Sequence, residues 1–316
     1  MSSYNLNLPI IIFTVLDLIL EPYFLYLIIQ KSSPGMRICR LLLTATSICN
    51  FLFSIAFFIA SPEVFVAGHL VCVVGSMLPP GYVYLLWQMA LFLAISQMQI
   101  SLLMLIYATY EITHPMDGAE LKSKWLYIAV SVFVLLPPAA FVGCEFVASV
   151  TYECYNFSID STGLGLICFN CIYAMCYSSI ASSAIFKIRG ISTKSGGQIS
   201  SSTMKLVQNV MKYFMITFGI VSSLILSPIF IAVIFSIVSL PEASSLMFAI
   251  AVKTMASYVL ISTIASIGIF APYRQFTLKM VSKVVNFKSG GQVFIVAAPV
   301  APPVSLCSGS TETRHQ

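Results

Sequence analysis

Two carboxylates lie four residues apart in a stretch that is otherwise apolar. Asp17 and Glu21 fall between Leu8 and Ile29, where the chain has no other charged residue. At this spacing both side chains share one face of a helix, where they could bind a ligand, relay protons or pair with a buried ammonium group. Lys253 is a third ionisable side chain set well inside an apolar stretch. These three residues are the first candidates for a functional site.

Asp17 and Lys253 are predicted to lie at matching depths. Each is eight or nine residues from the start of its apolar run, which corresponds to roughly 12–14 Å of helix. If the first and last helices close a ring, an ion pair can form, with Glu21 one turn deeper on the same face. In the other interpretation Lys253 extends outward, Asp17 is protonated, and Glu21 precedes a kink at Pro22.

Further polar side chains could complete a binding site among the helices. Thr254 and Tyr258 share a helical face close to Lys253, and Gln88 lies in another apolar stretch. Small polar groups in membrane helices also bond to neighbouring helices, so a purely structural role is the alternative. The predicted ligand-binding set is Asp17, Glu21, Gln88, Lys253, Thr254 and Tyr258.

Membrane-spanning helices are required to position these residues. The chain of 316 residues is 59% hydrophobic and 9% charged, and its mean hydropathy of +0.95 lies far outside the range of soluble domains. A helix needs about 20 apolar residues to cross a bilayer. Seven stretches qualify: 8–30, 38–60, 82–109, 125–149, 164–186, 206–238 and 245–271. The predicted fold is all-α, a bundle of seven transmembrane helices within residues 1–275.

The basic residues predict the orientation. Fifteen of the sixteen Lys and Arg residues flank the spans on one side, which the positive-inside rule makes cytoplasmic, with the N-terminus outside and the C-terminus inside. Residues 276–288 are predicted to form an amphipathic interfacial helix whose lysines suit anionic lipid, and 289–316 a disordered tail. Because the basic residues are dispersed over several segments, the net charge of +5 does not indicate nucleic-acid binding.

The outer segments contain candidate covalent modifications. Cys72 and Cys154 both fall in oxidising surroundings, where a disulfide would tie the loop between spans 4 and 5 over the bundle, and Cys144 is the rival partner. Asn156 begins a glycosylation sequon, Asn-Phe-Ser, on the same side.

Pro228 is the candidate hinge of span 6. A proline inside a helix removes a backbone donor and bends the helix. The bend would let the inner half of the span swing between two states; a static kink that serves packing is the alternative.

Enzyme signatures are missing from the sequence. It contains no HExxH, GxSxG or P-loop pattern, and its three histidines are widely separated. We therefore expect no catalysis, no cofactor and no metal. A small-solute or proton-linked transporter that uses Asp17, Glu21 and Lys253 is the alternative function, although the two halves of the chain show no repeat.

Four segments carry a family pattern: "YLIIQKSSPGMRICRLLL" after span 1, "SPEVFVAGH" after span 2, "SSSTMKLVQ" entering span 6, and "FAPYRQF" closing span 7. With Pro228 they resemble nematode serpentine chemoreceptors of the Str superfamily, most closely class H, over nearly the whole chain. The resemblance implies a G-protein-coupled receptor for an odorant or pheromone in the plasma membrane of sensory cilia. The implied partners are that small molecule, a heterotrimeric G protein and membrane lipids, and homo- or hetero-oligomers are compatible with it.

The resemblance also implies a G-protein-coupling region at the inner ends of spans 3, 6 and 7. Thr109 departs from the pattern, because relatives commonly carry an arginine before the tyrosine that matches Tyr110. Span 7 has no Asn-Pro-x-x-Tyr sequence. The implied region consists of Tyr110, Lys205, Gln208, Pro272, Tyr273 and Arg274.

Overall fold

A computed structural model describes most of the chain. The described residues are 8–32, 36–67, 70–75, 78–113, 124–151, 154–156, 161–194, 200–238 and 240–288. Within them, seven helical spans are long and apolar enough to cross a membrane. The predicted seven-helix bundle is therefore confirmed, while the expected tail, 289–316, lies outside the described residues.

The helices have the following bounds: α1 (Leu8–Lys31), α2 (Arg37–Ala60), α3 (Pro80–Thr113), α4 (Lys124–Ala148), α5 (Ser161–Lys194), α6 (Ser201–Val221), α7 (Ser227–Ile237), α8 (Pro241–Ile269) and α9 (Ala271–Lys288). A π-helical segment, Ser222–Leu226, joins α6 to α7, and together the three form the sixth span.

The chain forms two compact units, and the sequence boundary between them falls within α9. The first ends at Phe276 and contains all seven spans. The described part of the second is helical from Thr277 to Lys288 and exposes Leu278, Lys279 and Lys283. The helix after span 7 thus begins at Ala271 rather than at 276, where amphipathicity had suggested its start.

Apolar side chains face outward from the bundle, whereas many polar ones are enclosed. Ile19, Phe186 and Phe230 are among the most exposed large side chains, as lipid-facing positions require. Asp17, by contrast, is 0% exposed. The bundle therefore shows the distribution expected of a protein whose surroundings are hydrocarbon.

A four-stranded antiparallel sheet, which the sequence did not lead us to expect, covers one end of the bundle. Its strands are β1 (Pro62–Ala67), β2 (Leu70–Gly75), β3 (Ser149–Thr151) and β4 (Cys154–Asn156), in the order β1-β2-β4-β3. Val64 and Val66 of β1 pack near Phe248 of α8. We call this end of the bundle the sheet end.

Gly75 ends β2 where the strand passes between two helices. A Cβ atom at this position would lie 2.4 Å from Val83 Cγ2 and 2.8 Å from the carbonyl oxygen of Ala60. Only glycine lets the backbone approach this closely, so this residue fixes how the sheet sits against α2 and α3.

A disulfide joins Cys72 of β2 to Cys154 of β4. The two residues are directly opposite each other in the strand register. The pairing expected from the sequence is the one present, and Cys144, the rival partner, is a free thiol on α4.

Cys154→Ser should lower the free energy of unfolding by about 2–5 kcal/mol, because the bond closes a long chain segment. Thermal unfolding of the purified protein measures this loss. The matched control is Cys144→Ser, which removes a half-buried free thiol nearby and should have a much smaller effect. Equal losses in the two variants would contradict the structural role of the disulfide.

Candidate functional site: a carboxylate ladder between α1, α2 and α8

Glu21 lies at the centre of a buried hydrogen-bond cluster. Its Oε1 accepts hydrogen bonds from Asn50 Nδ2, at 2.7 Å, and from the hydroxyl of Thr263. Its Oε2 accepts one from the hydroxyl of Ser47 at 2.5 Å. Asn50 Nδ2 also lies 3.2 Å from Thr263 Oγ1. One carboxylate on α1 thereby ties that helix to both α2 and α8.

Asp17 makes a second contact with α2, one helical turn closer to the sheet end. Its Oδ2 accepts a hydrogen bond from the hydroxyl of Ser54. Its Oδ1 is buried and has no hydrogen-bond partner, and the same is true of Asn50 Oδ1. We call the whole set the carboxylate ladder: Asp17, Glu21, Ser47, Asn50, Ser54 and Thr263.

Helical periodicity explains why these residues meet. Asp17 and Glu21 are four residues apart on α1. Ser47, Asn50 and Ser54 are spaced by three and four residues on α2, so each set forms one stripe along its helix. A short connection makes α1 and α2 antiparallel neighbours, which brings the two stripes together. The polar stripe on α2 was readable in the sequence, but its partner depends on how each helix is rotated.

Lys253 does not join the carboxylate ladder. It is half-buried on α8, and in the described part of the chain it forms no ion pair with Asp17, whose oxygen is bonded to Ser54 instead. Lys253 and Thr263 are ten residues apart, which separates them by roughly 15 Å along the helix and roughly 80° around it. The first and last spans do pack together, but the expected Asp17–Lys253 pair is not formed in this structure.

The other expected ligand-binding residues lie apart from the ladder. Gln88 is buried on α3, and its Nε2 donates to Glu145 Oε2 of α4 at 3.5 Å. Tyr258 is buried on α8 and is hydrogen-bonded to Ser262. Of the six expected residues, Asp17 and Glu21 therefore belong to the carboxylate ladder and the other four do not.

Thr254 contacts the bend of span 6. Pro228 has no N–H group, so the carbonyl of Leu224, four residues earlier, loses its usual helical donor. Thr254 Oγ1 lies 2.6 Å from that carbonyl oxygen and can donate to it. Leu224 is also the central residue of the π-helical segment. A hydroxyl of span 7 thus compensates for the proline of span 6.

The implied coupling residues lie at the end opposite the sheet. Lys205, Tyr110 and Arg274 are exposed there, whereas Gln208 and Pro272 are half-buried. Thr109, where relatives commonly carry arginine, is buried and donates to the carbonyl of Leu105 in its own helix. The exposed members can contact a partner directly.

Tyr273 has a packing role at this end. It is 0% exposed, its hydroxyl is hydrogen-bonded to that of Ser32 at 2.8 Å, and its ring meets Phe24 edge to face. Burial raises the pKa of Tyr273 to about 12, so the phenol stays neutral at physiological pH. Tyr273 fastens the start of α9 to the end of α1.

Asn156 is the last residue of β4, two residues after Cys154. Its side chain and the rest of the sequon lie outside the described residues, so glycosylation remains a prediction.

Comparison with known proteins defines the class. Residues 145–283 match the family described as "Serpentine type 7TM GPCR chemoreceptor Srh". The crystal structure of squid rhodopsin has a TM-score of 0.54 against this chain at 14% identity, covering 90% of this chain and 86% of its own. At that identity the likeness shows the fold alone. No curated protein sequence matches the chain.

The protein is thus a multi-pass membrane protein with the seven-helix fold of G-protein-coupled receptors. The match of residues 145–283 to this family confirms the resemblance to class H serpentine chemoreceptors that the sequence indicated.

Ser54→Ala should lower the free energy of unfolding by about 1–3 kcal/mol, because it removes the hydrogen-bond donor from a buried carboxylate. In an Asp17→Asn background, where an amide replaces the carboxyl group that accepts this bond, the same change should cost less. Thermal unfolding of the four proteins of this cycle measures the difference. Fully additive effects would show that Ser54 does not act through Asp17.

Thr254→Val should loosen the bend of span 6, because the hydroxyl that reaches the Leu224 carbonyl is lost while the side-chain shape is kept. Hydrogen exchange of peptides covering 220–232 should speed up by about fivefold or more, as expected for a lost hydrogen bond of about 1 kcal/mol. Thr254→Ser, which keeps the hydroxyl, should exchange like the wild type. Fast exchange in both variants would contradict the assignment.

Proposed function

We propose that this protein is a chemosensory G-protein-coupled receptor, which binds a small environmental molecule in the outer half of its helix bundle and activates a heterotrimeric G protein. The observation that carries the proposal is the match of residues 145–283 to a family of seven-helix chemoreceptors. The rhodopsin-like fold agrees with it. The same findings point to a receptor without enzymatic activity.

The sheet end is the outer end in this proposal. The basic residues flank the opposite end, which the positive-inside rule assigns to the cytoplasm. A disulfide lies in the sheet, as suits an oxidising compartment. The N-terminus and Asn156 are then outside the cell, and α9 and the tail are inside. By family resemblance the membrane is that of a sensory cilium.

Lys253 and Gln88 are the proposed ligand contacts among the residues predicted from the sequence. Both lie on the outer parts of their helices, and Lys253 is only half-buried. Thr254 and Tyr258 are next along the same helix. Asp17 and Glu21 are enclosed and bonded within the protein, so they support the bundle rather than meet the ligand in this arrangement.

The bend of span 6 is the proposed moving part. Pro228 and the π-helical segment interrupt the regular hydrogen bonds of the helix at one level, and irregular segments of this kind absorb changes of backbone angle. On the side of the bend away from the sheet end, α6 extends to the exposed Lys205, at the end proposed to be cytoplasmic. A ligand that shifts α8 would change the Thr254–Leu224 contact and thereby the position of α6.

A proton-linked or small-solute transporter is the second candidate, because two carboxylates are buried within a membrane span. The two functions predict different outcomes in proteoliposomes. Solute or proton flux without a G protein would favour the transporter, whereas ligand-stimulated nucleotide exchange on an added G protein would favour the receptor.

A ligand screen in cells that express a promiscuous G protein, with calcium as the readout, should identify an activating compound. With that compound, the double variant Lys205→Ala, Arg274→Ala should reduce nucleotide exchange by about tenfold, the effect of losing about 1.4 kcal/mol of partner contact. Ligand binding should be nearly unchanged. The control Glu242→Gln alters an exposed residue at the other end and should signal normally.

Two results would contradict the receptor proposal. The first is an absence of nucleotide exchange with any tested G protein despite measurable ligand binding. The second is flux of the bound compound through proteoliposomes in the absence of a G protein.

A further inference from the structure

The carboxylate ladder contains two buried acids but no basic partner. Asp17 is 0% and Glu21 1% exposed, on adjacent turns of α1. Within the residues that the structure describes, every group hydrogen-bonded to either carboxylate is a neutral hydroxyl or amide. Two ionised acids this close would repel each other in a medium of low dielectric constant. At least one of them needs a positive charge.

The hydrogen bonds distinguish the two acids. Glu21 receives three donors, from Ser47, Asn50 and Thr263, and such a set stabilises an ionised carboxylate. Asp17 receives one, on Oδ2, and its Oδ1 has none. The positive charge that this pair of acids needs is therefore best placed at Asp17 Oδ1.

A second atom beside the acids points to a missing donor. Asn50 is 1% exposed, and its amide nitrogen is directed at Glu21. Its Oδ1 is nevertheless without a partner. Both unpartnered oxygens are enclosed by protein atoms. A hydrated ion or a water molecule therefore does not reach them in this arrangement, but a proton requires no space.

The neighbouring helices carry one charged group near this level, Lys253 of α8, which forms no ion pair with either acid in the described part of the chain. α1 packs against α2 and α8. On α2 the only ionisable side chain near this level is the thiol of Cys49, and on α8 they are Tyr258 and Lys253. On α1 itself, Glu21 is the acidic side chain one turn from Asp17. Protonation of Asp17 is thus governed by Glu21 and by enclosure between the helices.

We propose that the carboxylate ladder is a proton-binding site, in which Asp17 carries the proton on Oδ1 and Glu21 is ionised. The proton comes from water and returns to water, and no other bond is made or broken. The packed arrangement of α1, α2 and α8 holds the proton, while an arrangement that admits water releases it. Acid therefore stabilises the packed state and alkali the opened one.

The test measures thermal unfolding of the whole purified protein in nanodiscs from about pH 5 to about pH 9. Because the folded state retains a proton that the unfolded chain releases, wild-type stability should fall as pH rises. Relative to Asp17→Asn, the unfolding equilibrium should change by up to about tenfold per pH unit. The Asp17→Asn curve serves as the reference, because it contains the pH dependence of all the other groups. Glu242→Gln, at an exposed acid, should keep the wild-type slope.

Identical pH curves for the wild type and Asp17→Asn would overturn the proposal. A sodium effect would also overturn it. If sodium chloride stabilised the wild type more than choline chloride did at the same pH, and Asp17→Asn lost this difference, a metal cation would occupy the site instead of a proton. No ligand or G protein enters these measurements, so their failure leaves the proposed receptor function untouched.

Infrared spectroscopy of the wild type, labelled with 13C-aspartate, keeps the proposal testable if Asp17→Asn does not fold. The chain has three aspartates, Asp17, Asp117 and Asp160, and the latter two fall in predicted water-exposed segments. A shifted carbonyl band of a protonated aspartic acid at neutral pH is the expected result. Its absence would show that Asp17 is ionised.

Discussion

Hydrocarbon offers no hydrogen-bond partner, so each polar group that a helix carries into the membrane must be bonded within the protein. Several hydroxyls of the described spans meet that requirement in one of two ways. Some bond within their own helix, as Thr14 does to the carbonyl of Ile10. Others bond between helices, as Ser54 does to Asp17 and Thr254 to Leu224. The second group determines which helices lie together, because apolar contacts between helices differ little from contacts with lipid.

Helix α8 takes part in two of the interhelical hydrogen bonds described above. Thr263 bonds to Glu21 of α1, and Thr254, nearer the sheet end, reaches the bend of span 6. The two hydroxyls are nine residues apart, so they lie roughly 14 Å apart along one helix. A displacement of α8 therefore changes its contacts with the first and sixth spans together. This arrangement gives a physical reason for treating spans 1, 6 and 7 as one mechanical group.

The sequence predicts the elements of this fold better than their contacts. Hydropathy locates all seven spans, because length and apolarity are properties of each segment alone. The Cys72–Cys154 pair was also within reach, since few cysteines fall in oxidising segments. The hydrogen bond from Ser54 to Asp17 was not predicted, because a carboxylate within a membrane span suggests an oppositely charged partner rather than a hydroxyl. The sheet was missed because its short apolar strands lie directly beside helices, and a short apolar run cannot be told from a helix end by periodicity alone.

The sheet has a consequence for how the bundle can change shape. Its four strands join the end of α2, the start of α3 and the end of α4 into one hydrogen-bonded plate, and β1 rests on α8 near Phe248. Such a plate resists bending along its strands, so the helix ends beneath it cannot spread apart independently. At the opposite end the described helices are joined by non-covalent contacts alone, such as the hydrogen bond between Tyr273 and Ser32. Helix ends there can therefore separate at a lower cost in free energy than those that the disulfide-linked sheet holds together at the sheet end.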